Sequence, residues 1–391
     1  MRSSSADAGD HTASPRPEVL ASITDATVLA AVAQADEAVS RAEIARITGL
    51  SKPGVAAAAK RLLDRGVIQE TGIREGRRGG VATLIQLNAD HGRSIAIVIQ
   101  STMITVESRD LTGAVRATHD EQVTAAASPG ELITTANRLI AAVEQQHPAP
   151  LIAAAVSIAD PVDYASGTAV ELERSVFPAA AQSALTDLAL PDTAQVMIDN
   201  DVNWATLGEY REGELRGRDD FVYVYGGQGL GAGLMLNGRL FRGRRGLAGE
   251  IGYLRTDGSD HPVDLTQRLV ELGLGTPGRY EIDLERAAEV LGAELLAEPS
   301  SPASAVIDVL AHAIANIVIT LNPSAVAFGG PLSAYPAFIE VLSARVAALS
   351  LDPPQFVRSD ATPLRGAGME AHLRALSAVG LTDTDTRGRM L

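Results

Sequence analysis

Apolar residues in the N-terminal part of the chain recur at helical spacing. From Ile23 three such runs follow one another: ITDATVLAAVAQA, SRAEIARITG and SKPGVAAAAKRLLDRG. Ser40 with Glu43 three residues later forms a capping box at the start of the second run, and Ser51 caps the third, which Gly66 ends. The pattern predicts three helices with a tight turn between the second and the third.

Two alternating runs follow the third helix, VIQETGI (67–73) and VATLIQL (81–87), and REGRRGG joins them. Period-two alternation predicts strands, so the order is that of a winged helix-turn-helix. A small helical bundle with a hairpin is the alternative. We assign this domain to residues 19–88 and predict a disordered arm for residues 1–18, which are rich in Ser, Ala, Asp and Pro without periodicity.

The third helix is predicted to present two different faces. Its inward stripe is formed by Val55, Ala59, Leu62 and Leu63. The outward face combines cations, which can meet phosphate, with methyl groups, which allow close approach to a groove, and two arginines on the glycine loop of the wing suit a narrow minor groove. The predicted DNA-binding residues are Ser51, Lys52, Ala56, Ala57, Lys60, Arg61, Arg77 and Arg78.

The pattern after Asn88 is that of an α/β protein. Strand-like and helical runs alternate in the order SIAIVI, TMITVES, a helix from SPGELITTANRLIAAVEQQ, LIAAAVSIA, VMIDN, and the helix DVNWATLGEYREG. A similar arrangement begins again at FVYVYGG and ends in MEAHLRALSAVG. This repetition predicts a duplicated fold with a cleft between two lobes, where binding sites are common.

Composition narrows the function classes. The chain has no cysteine, which excludes disulfides, a thiol nucleophile and Cys-ligated zinc. Its net charge of -15 argues against coating nucleic acid with the whole surface, yet residues 40–80 carry nine Lys plus Arg against four acids. The N-terminus lacks an apolar signal core, and we expect the protein in the cytoplasm.

Four segments in order resemble the ROK family (repressors, open reading frames and kinases), in particular its transcriptional regulators. They are NDVNWATLGE (200–209), GQGLGAGLMLNGRLFRG (227–243), AGEIGY (248–253) and LNPSAVAFGG (321–330). The resemblance implies a winged helix-turn-helix joined to a two-lobed, actin-like domain of duplicated RNase H-like halves. We expect the latter at residues 89–391, with lobe 1 at about 89–199 plus a C-terminal helix at 367–380, and lobe 2 at about 200–366.

The resemblance also implies roles for individual residues. Asp201 matches the carboxylate that takes the proton from the attacking sugar hydroxyl in kinase members. Asn200 and Glu250 match groups that hydrogen-bond sugar hydroxyls, and Glu271 is a further candidate in an altered motif. Tyr253 completes the expected ligand set. The alternative role for Asp201 is a carboxylate that stabilises the positive end of a helix dipole.

Departures from the kinase pattern argue against catalysis. Kinase members carry Asp-x-Gly-Gly-Thr at the first strand hairpin, where this chain has Val98, Ile99, Gln100, Ser101 and Thr102. Without this turn the metal and phosphate are not organised, so we expect no enzyme activity. The family's zinc site is also replaced, with Tyr253 at its histidine position and SDHPVDLTQRLV in place of its cysteine run, so we expect neither zinc nor another cofactor. We interpret His261 as a surface residue.

The leading hypothesis is a DNA-binding transcriptional regulator, a repressor that acts as a homodimer or homotetramer and senses a sugar-like effector. One alternative is an ATP-dependent sugar kinase with a DNA-binding head. Another is a scaffold that binds DNA without any small molecule. The five glycines within GGQGLGAG (226–233) bear on this choice, since such a stretch can bring the backbone close to phosphate; we interpret them here as an inherited cradle that now forms a sharp hairpin.

Overall fold

A computed structural model describes most of the chain. The described residues are 17–75, 81–124, 127–170, 172, 185–256, 263–276, 278–292 and 301–381. These described residues divide into two compact units, one drawn from residues 17–91 and 376–381 and the other from residues 92–375. Most of the predicted N-terminal arm lies outside the described residues.

The first unit contains the predicted winged helix-turn-helix. Its elements are α1 Pro17–Ala33, β1 Val39–Ser40, α2 Arg41–Thr48, α3 Lys52–Asp64, β2 Ile68–Glu75 and β3 Val81–Leu87. The strand order is β1-β3-β2, so the hairpin gains a short third strand that sequence periodicity did not reveal. A 3-10 turn at Ala89–His91 ends this segment, a few residues beyond the boundary expected at residue 88.

Local capping fixes the helix-turn-helix. The Ser40 hydroxyl accepts from the Glu43 backbone, and the Glu43 carboxylate accepts from the Ser40 backbone at 2.8 Å, which confirms the capping box. Gly49 ends α2 with φ of 71°, a conformation in which a side chain is strained, and Ser51 caps α3 by accepting from the Gly54 N–H. Local interactions at Ser40, Gly49 and Ser51 therefore determine where α2 begins and ends and where α3 begins.

The buried stripe of α3 differs from the prediction at one position. Val55, Ala58, Ala59 and Leu62 are buried, whereas Leu63 is only partly buried. Positions i, i+3, i+4 and i+7 of a helix share one face, and Leu63 lies at the edge of that face. Ala58, which the prediction did not include, belongs to the buried stripe instead.

The first lobe of the second unit is built around a five-stranded sheet. Its elements are β4 Arg93–Ile99, β5 Met103–Asp110, β6 Val115–Gln122, α4 Pro129–Gln146, β7 Leu151–Ile158, β8 Val162–Asp163, β9 Thr168–Ala169 and β10 Gln195–Asn200. The strand order is β10-β7-β4-β5-β6, with β10, β7 and β4 parallel. Parallel neighbours end at the same edge of the sheet, so the residues that follow β4, β7 and β10 lie near one another.

The second lobe repeats this plan. It consists of α5 Asp201–Glu212, β11 Phe221–Gly226, β12 Leu230–Leu236, β13 Arg239–Phe241, α6 Leu265–Leu269, a π-helical turn Val270–Leu274, α7 Leu284–Val290, α8 Pro302–Leu321, β14 Ala325–Gly329, α9 Pro336–Leu349 and β15 Gln355–Arg358. The order β13-β12-β11-β14-β15 matches that of the first sheet when strands are numbered within each lobe. The predicted duplication of an α/β fold is confirmed.

The C-terminal helix α10, Pro363–Ala378, packs on the first sheet through small residues. Ala367 and Ala371 are buried against Ala96, Ala155 and Trp204. This is the helix that the sequence placed at 367–380 and assigned to lobe 1. Its alanines allow close helix–sheet contact, because they carry no side chain beyond Cβ.

One helix among the described residues, α8, is long and apolar enough to cross a membrane. Its residues Val306, Leu310, Ile314 and Val318 are buried in the main core of the second lobe. Core helices of folded domains have this composition, and the burial of these four side chains accounts for much of the apolar character of α8.

Candidate DNA-binding face and acidic pocket

The outward face of α3 is exposed as the spacing predicts. Lys52, Ala56, Ala57 and Lys60 are all exposed, and Ser51 sits at the exposed N-terminus of the helix. Small residues in the middle of the face leave the backbone accessible, and a cation lies at each end. This arrangement can approach a groove closely while its lysines contact phosphates.

Arg61 lies differently from the other predicted contacts. Its guanidinium makes hydrogen bonds of 2.6 to 3.1 Å to both carboxylate oxygens of Asp25, which links α3 to α1. Lys60 pairs with Asp64 one turn further along the helix, but both side chains are largely exposed. Such an exposed pair contributes little, so Lys60 can exchange it for a phosphate, whereas Arg61 orients the helix.

The hairpin is braced against α2 by two further ion pairs. Arg74 contacts Glu43 at 2.8 Å, and Arg41 contacts Glu70 at 2.9 Å. The wing arginines Arg77 and Arg78 lie outside the described residues. Arg46 lies in the last turn of α2, is exposed, and forms no ion pair among the described residues. It is therefore a candidate phosphate contact that the sequence prediction, which named residues of α3 and the wing, did not include.

The second candidate site is a cavity of about 160 Å³ at the carboxyl edge of the first sheet. Gln100, Asp160 and Asp201 follow β4, β7 and β10 into it, and Glu250 and Tyr253 enter from the second lobe. Cavities for drug-sized ligands are larger, about 300 to 1,000 Å³. The cavity therefore fits a ligand of monosaccharide size, and Asp160 is a member that sequence reasoning missed although it follows a strongly apolar strand.

Asn200 and Asp201 are positioned by the start of α5. The Asn200 side chain accepts from the Val202 N–H at 2.9 Å and donates to the Ala159 carbonyl at 3.0 Å. Asp201 accepts from the same Val202 N–H at 2.8 Å. Asn200 is therefore the N-cap of α5. Asp201 lies in the first turn of the same helix, at the positive end of its dipole, and also lines the cavity.

The carboxyl groups of the cavity repel one another. Burial raises the pKa of Asp201 to about 7, helped by the charge of Asp160. Burial also raises the pKa of Glu250 to about 7, with further contributions from Asp201 and Asp160. The carboxyl groups of Asp160, Asp201 and Glu250, gathered in one cavity, make it an acceptor for hydroxyl or ammonium donors.

The glycine-rich stretch places these groups by permitting close packing. A Cβ on Gly233 would lie 1.7 Å from the Thr206 Oγ1, and one on Gly231 would lie 2.8 Å from a Val202 methyl group. Both glycines are on the face of β12 that α5 covers. Because these two glycines carry no side chain, α5 can approach the sheet closely. They therefore serve helix–sheet packing, whereas the sequence predicted a role in the hairpin.

The segment that carries Glu250 is held by a glycine in a left-handed conformation. Gly249 has φ of 94°, and a Cβ there would lie 1.8 Å from the Ala232 carbonyl oxygen. The Gly249 carbonyl in turn accepts from the Ala232 N–H at 2.7 Å. Glu250 is thereby fixed beside β12 with its side chain at the cavity.

Arg242 links the two lobes beside the cavity. It donates to the Asp199 carboxylate at 2.7 Å, and its guanidinium lies 4.4 Å from the ring centroid of Tyr164. Asp199 is buried at the end of β10 and also accepts from Asn203 at 2.7 Å. Periodicity and motif spacing carry no direct signal for this connection, because its partners are far apart in the chain.

Tyr253 stands at the position of the histidine in the family's zinc site. Tyr253 packs against Tyr280 with ring centroids 5.9 Å apart, and a phenol is not one of zinc's usual Cys, His or carboxylate ligands. Across the described part of the chain, no group of three or more His, Cys, Asp or Glu side chains could hold a metal. His261 lies outside the described residues.

Glu271 is not brought to the cavity with the other predicted ligand residues. It lies in the π-helical turn, is exposed, and pairs with Arg268 at 3.0 Å. Gly273 adopts φ of 104° inside this turn and interrupts the helical path. The candidate ligand set is therefore corrected to Asn200, Asp201, Glu250 and Tyr253, with Asp160 added.

A second cavity, of about 690 Å³, lies along α8. Leu234, Leu247, Ile317 and Leu321 are among the apolar side chains in its wall. Its wall also includes side chains that can hydrogen-bond, such as those of Arg255 and Asn316. The acidic pocket, which gathers most of the predicted ligand residues, is the candidate that we pursue for a small polar ligand.

Comparisons with known proteins match both parts of the chain. A family model described as the ROK family matches residues 94–268, and one described as the MarR family matches residues 22–79. An N-acetyl-D-glucosamine kinase of Pectobacterium carotovorum is 30% identical over 212 residues, which cover 47% of this chain and 69% of the kinase. A xylose repressor of Caldicellulosiruptor bescii is 26% identical over 218 residues, or 55% of this chain. The matched segment spans about half of that repressor, 54% of its length.

A solved structure shares the whole fold. It is a ROK family transcriptional regulator described as a homologue of the E. coli MLC protein, and it covers 93% of this chain with a TM-score of 0.66 and 18% identity. At this identity the likeness concerns the fold alone. The expected architecture, a winged helix-turn-helix with an actin-like ROK domain, is confirmed.

Proposed function

Since this chain belongs to the ROK family, we propose that it is a DNA-binding transcriptional regulator, a repressor whose acidic pocket senses a small hydroxylated ligand. The observation that carries the proposal is the α3 face, where exposed Lys52 and Lys60 flank exposed Ala56 and Ala57. A buried structural helix has no need of such a face. The operator is double-stranded DNA, and the regulator acts in the cytoplasm as a homodimer or homotetramer.

Sensing requires that the ligand binds one conformation better than another. The pocket is lined by residues of both lobes, and Arg242 spans the lobes beside it through Asp199. A ligand that bridges Asp201 and Glu250 stabilises one relative position of the two lobes. Such a change in lobe closure is the event that alters DNA affinity in this proposal.

Kinase activity is not part of the proposed function. Gln100 and Ser101 line the pocket at the positions of the two glycines in the phosphate turn of kinase members, and Val98 stands at the position of its acid. The apolar side chain of Val98 cannot supply the charge that holds magnesium, although Asp201 remains in the position of the base. Among the described residues, the pocket keeps the groups that this proposal assigns to ligand binding, while the acid and the glycines of the phosphate turn are replaced. The proposal includes no zinc ion.

DNA binding should depend on the lysines of α3. We expect Lys52→Ala to weaken binding and to reduce the slope of log affinity against log salt by about 0.9, since one fewer phosphate is neutralised. The measurement is a salt titration by fluorescence anisotropy on a duplex selected from a random pool. Arg279→Ala removes an exposed cation of the second unit and is the matched control. A full-length protein that selects no duplex at low salt would refute the proposed function.

We further expect no meaningful ATP-dependent phosphorylation of hexoses or amino sugars. A coupled assay is the measurement, and ordinary kinases turn over at roughly 1 to 100 per second. Turnover in that range, abolished by Asp201→Asn, would replace the regulator proposal by a kinase with a DNA-binding head. Turnover that survives Asp201→Asn would indicate a contaminating kinase, so the variant serves as the control.

A further inference from the structure

Another cavity, of about 430 Å³, lies at the amino edge of the first sheet, the edge away from the acidic pocket. Its wall includes Arg93 and Leu151, which begin the parallel strands β4 and β7, together with residues of α4 and of the segment before β10. All of these residues belong to the second unit. This Arg93 cavity falls within the range of about 300 to 1,000 Å³ that small-molecule sites occupy.

Arg93 is fixed in the wall, but its guanidinium group is not satisfied. The side chain is 3% exposed. Its backbone N–H donates to the Pro150 carbonyl and its Nε donates to the Ala149 carbonyl, each at 2.8 Å. Nη1 is buried and forms no hydrogen bond with a described residue. A buried donor of this kind is costly and rare in native proteins, so it calls for an acceptor.

Glu144 is the acid beside this guanidinium. Its Oε1 lies 3.5 Å from Nη2 of Arg93, which is longer than an ordinary N–H···O hydrogen bond, and its side chain is 62% exposed. Such a solvated carboxylate compensates a buried cation weakly. Among the described residues that line the cavity, Arg93 and Glu144 are the only charged groups. Burial lowers the pKa of Arg93, yet a guanidinium stays protonated at neutral pH.

The rest of the wall is apolar and held in place. Asn137 of α4 accepts from the Ala189 N–H at 2.7 Å and donates to the Asp187 carbonyl at 2.9 Å. These two bonds tie the segment before β10 to the helix. A site whose wall and cation are already fixed loses little conformational entropy when a ligand binds. The apolar side chains of the wall include Ile140, Pro148, Leu151, Leu190 and Pro191.

We propose that the Arg93 cavity binds a small carboxylate with an apolar body, at a site separate from the acidic pocket. The carboxylate accepts from Nη1 and Nη2 of Arg93, since a guanidinium suits the two oxygens of a carboxylate. The apolar body contacts the prolines and Leu190. Two sources share this chemistry. One is a monocarboxylic acid, and the other is an apolar amino acid whose ammonium group pairs with Glu144.

The test uses three probes that share one branched carbon skeleton. Isocaproate carries only a carboxylate, leucine carries a carboxylate and an ammonium group, and isopentylamine carries only an ammonium group. Each is titrated calorimetrically at neutral pH into the full-length protein. We expect isocaproate or leucine to bind at millimolar concentration or below, and isopentylamine to bind at least about 10-fold more weakly. A preference for leucine that is lost in Glu144→Gln assigns the amino acid, and its absence assigns the monocarboxylic acid.

Two variants test the place of binding. Arg93→Lys keeps the charge but loses the planar fork, so we expect it to weaken binding at least about 10-fold. Ala189→Phe fills the cavity from an exposed position of the wall and leaves Arg93 intact, which keeps the test valid if Arg93→Lys fails to fold. Arg138→Ala removes an exposed cation of α4 outside the cavity and should leave binding unchanged. Melting temperatures establish that each variant is folded.

Three results would overturn the proposal. The first is that neither isocaproate nor leucine binds at millimolar concentration, which leaves water as the only acceptor for Nη1 of Arg93. The second is binding that survives both Arg93→Lys and Ala189→Phe, which places the ligand elsewhere. The third is isopentylamine binding as tightly as isocaproate, which excludes the carboxylate contact. The proposed regulator function does not depend on any of these results, because DNA binding and the acidic pocket are tested separately.

Discussion

The substitution Ala57→Glu is expected to lower the affinity for operator DNA by at least about 100-fold. Ala57 is exposed in the middle of the outward face of α3, between Lys52 and Lys60. A carboxylate there meets the negative potential of DNA, and its length prevents the close approach that a methyl group allows. Like charges placed together at an interface cost several kcal/mol, and 100-fold corresponds to about 2.7 kcal/mol.

The control is Ser22→Glu, which adds the same charge to an exposed position of α1 in the same domain. Both variants should fold, since neither residue is buried and glutamate is a good helix former. Circular dichroism and the melting temperature establish this before anisotropy titrations are compared. Equal affinities for the two variants would show that α3 does not face the DNA.

The second large effect concerns stability and its dependence on pH. Asp201→Asn is expected to raise the stability of the ligand-free protein by about 2 kcal/mol at pH 8, or roughly 4 °C in melting temperature. Burial and Asp160 raise the pKa of Asp201 to about 7, so at pH 8 the wild-type protein keeps a charge that its surroundings disfavour. Asparagine keeps an oxygen that can accept from the Val202 N–H and carries no charge.

The sign of the pH dependence follows from that pKa. A carboxyl group whose pKa is higher in the folded state stabilises the fold below its ordinary pKa, near 4, and this contribution is lost as pH rises through about 7. The advantage of Asp201→Asn should therefore be largest at pH 8 and shrink toward pH 4.5. Scanning calorimetry at both values is the measurement, with Asp192→Asn at an exposed turn position as the control. A stability gain of Asp201→Asn that does not change with pH would contradict the raised pKa of Asp201 in the folded protein.

The same variant connects stability with sensing. If Asp201 hydrogen-bonds the ligand, Asp201→Asn should also weaken the effect of that ligand on DNA binding, because a site built on hydrogen bonds discriminates strongly when one partner changes. In that case Asp201 lowers the stability of the folded protein and also binds the ligand. Its retention then reflects the function of the pocket rather than the stability of the fold.

Local signals in the sequence determined the elements of the DNA-binding head. The capping box of Ser40 and Glu43, the cap at Ser51 and the turn at Gly49 each act over a few residues, so they can be recognised without knowing the fold. The exposed face of α3 follows from helical periodicity alone. The same reasoning predicted the duplicated α/β pattern, although it missed α9, β15 and the two-residue strand β1, whose partners are distant or whose runs are short.

The tertiary structure decided what the local pattern could not. Arg61 has the same charge as Lys52, but only the fold shows that Arg61 is held by Asp25 of α1. The sequence predicts that the glycines of β12 are an inherited cradle that now forms a sharp hairpin, yet the absence of a side chain at Gly233 makes room for Thr206. Both contacts join residues far apart in the chain, and neither leaves a trace in spacing or periodicity.

The composition of the pocket was likewise a matter of tertiary structure. Parallel strands bring Asp160 and Asp201 to one sheet edge, and Gly249 fixes Glu250 opposite them, whereas an interrupted helix leaves Glu271 outside, paired with Arg268. A sequence shows which side chains can bind a ligand. The charge that the ligand meets depends on which of these side chains the fold gathers and which cations it keeps occupied elsewhere, because electrostatic interactions act through space rather than along the chain.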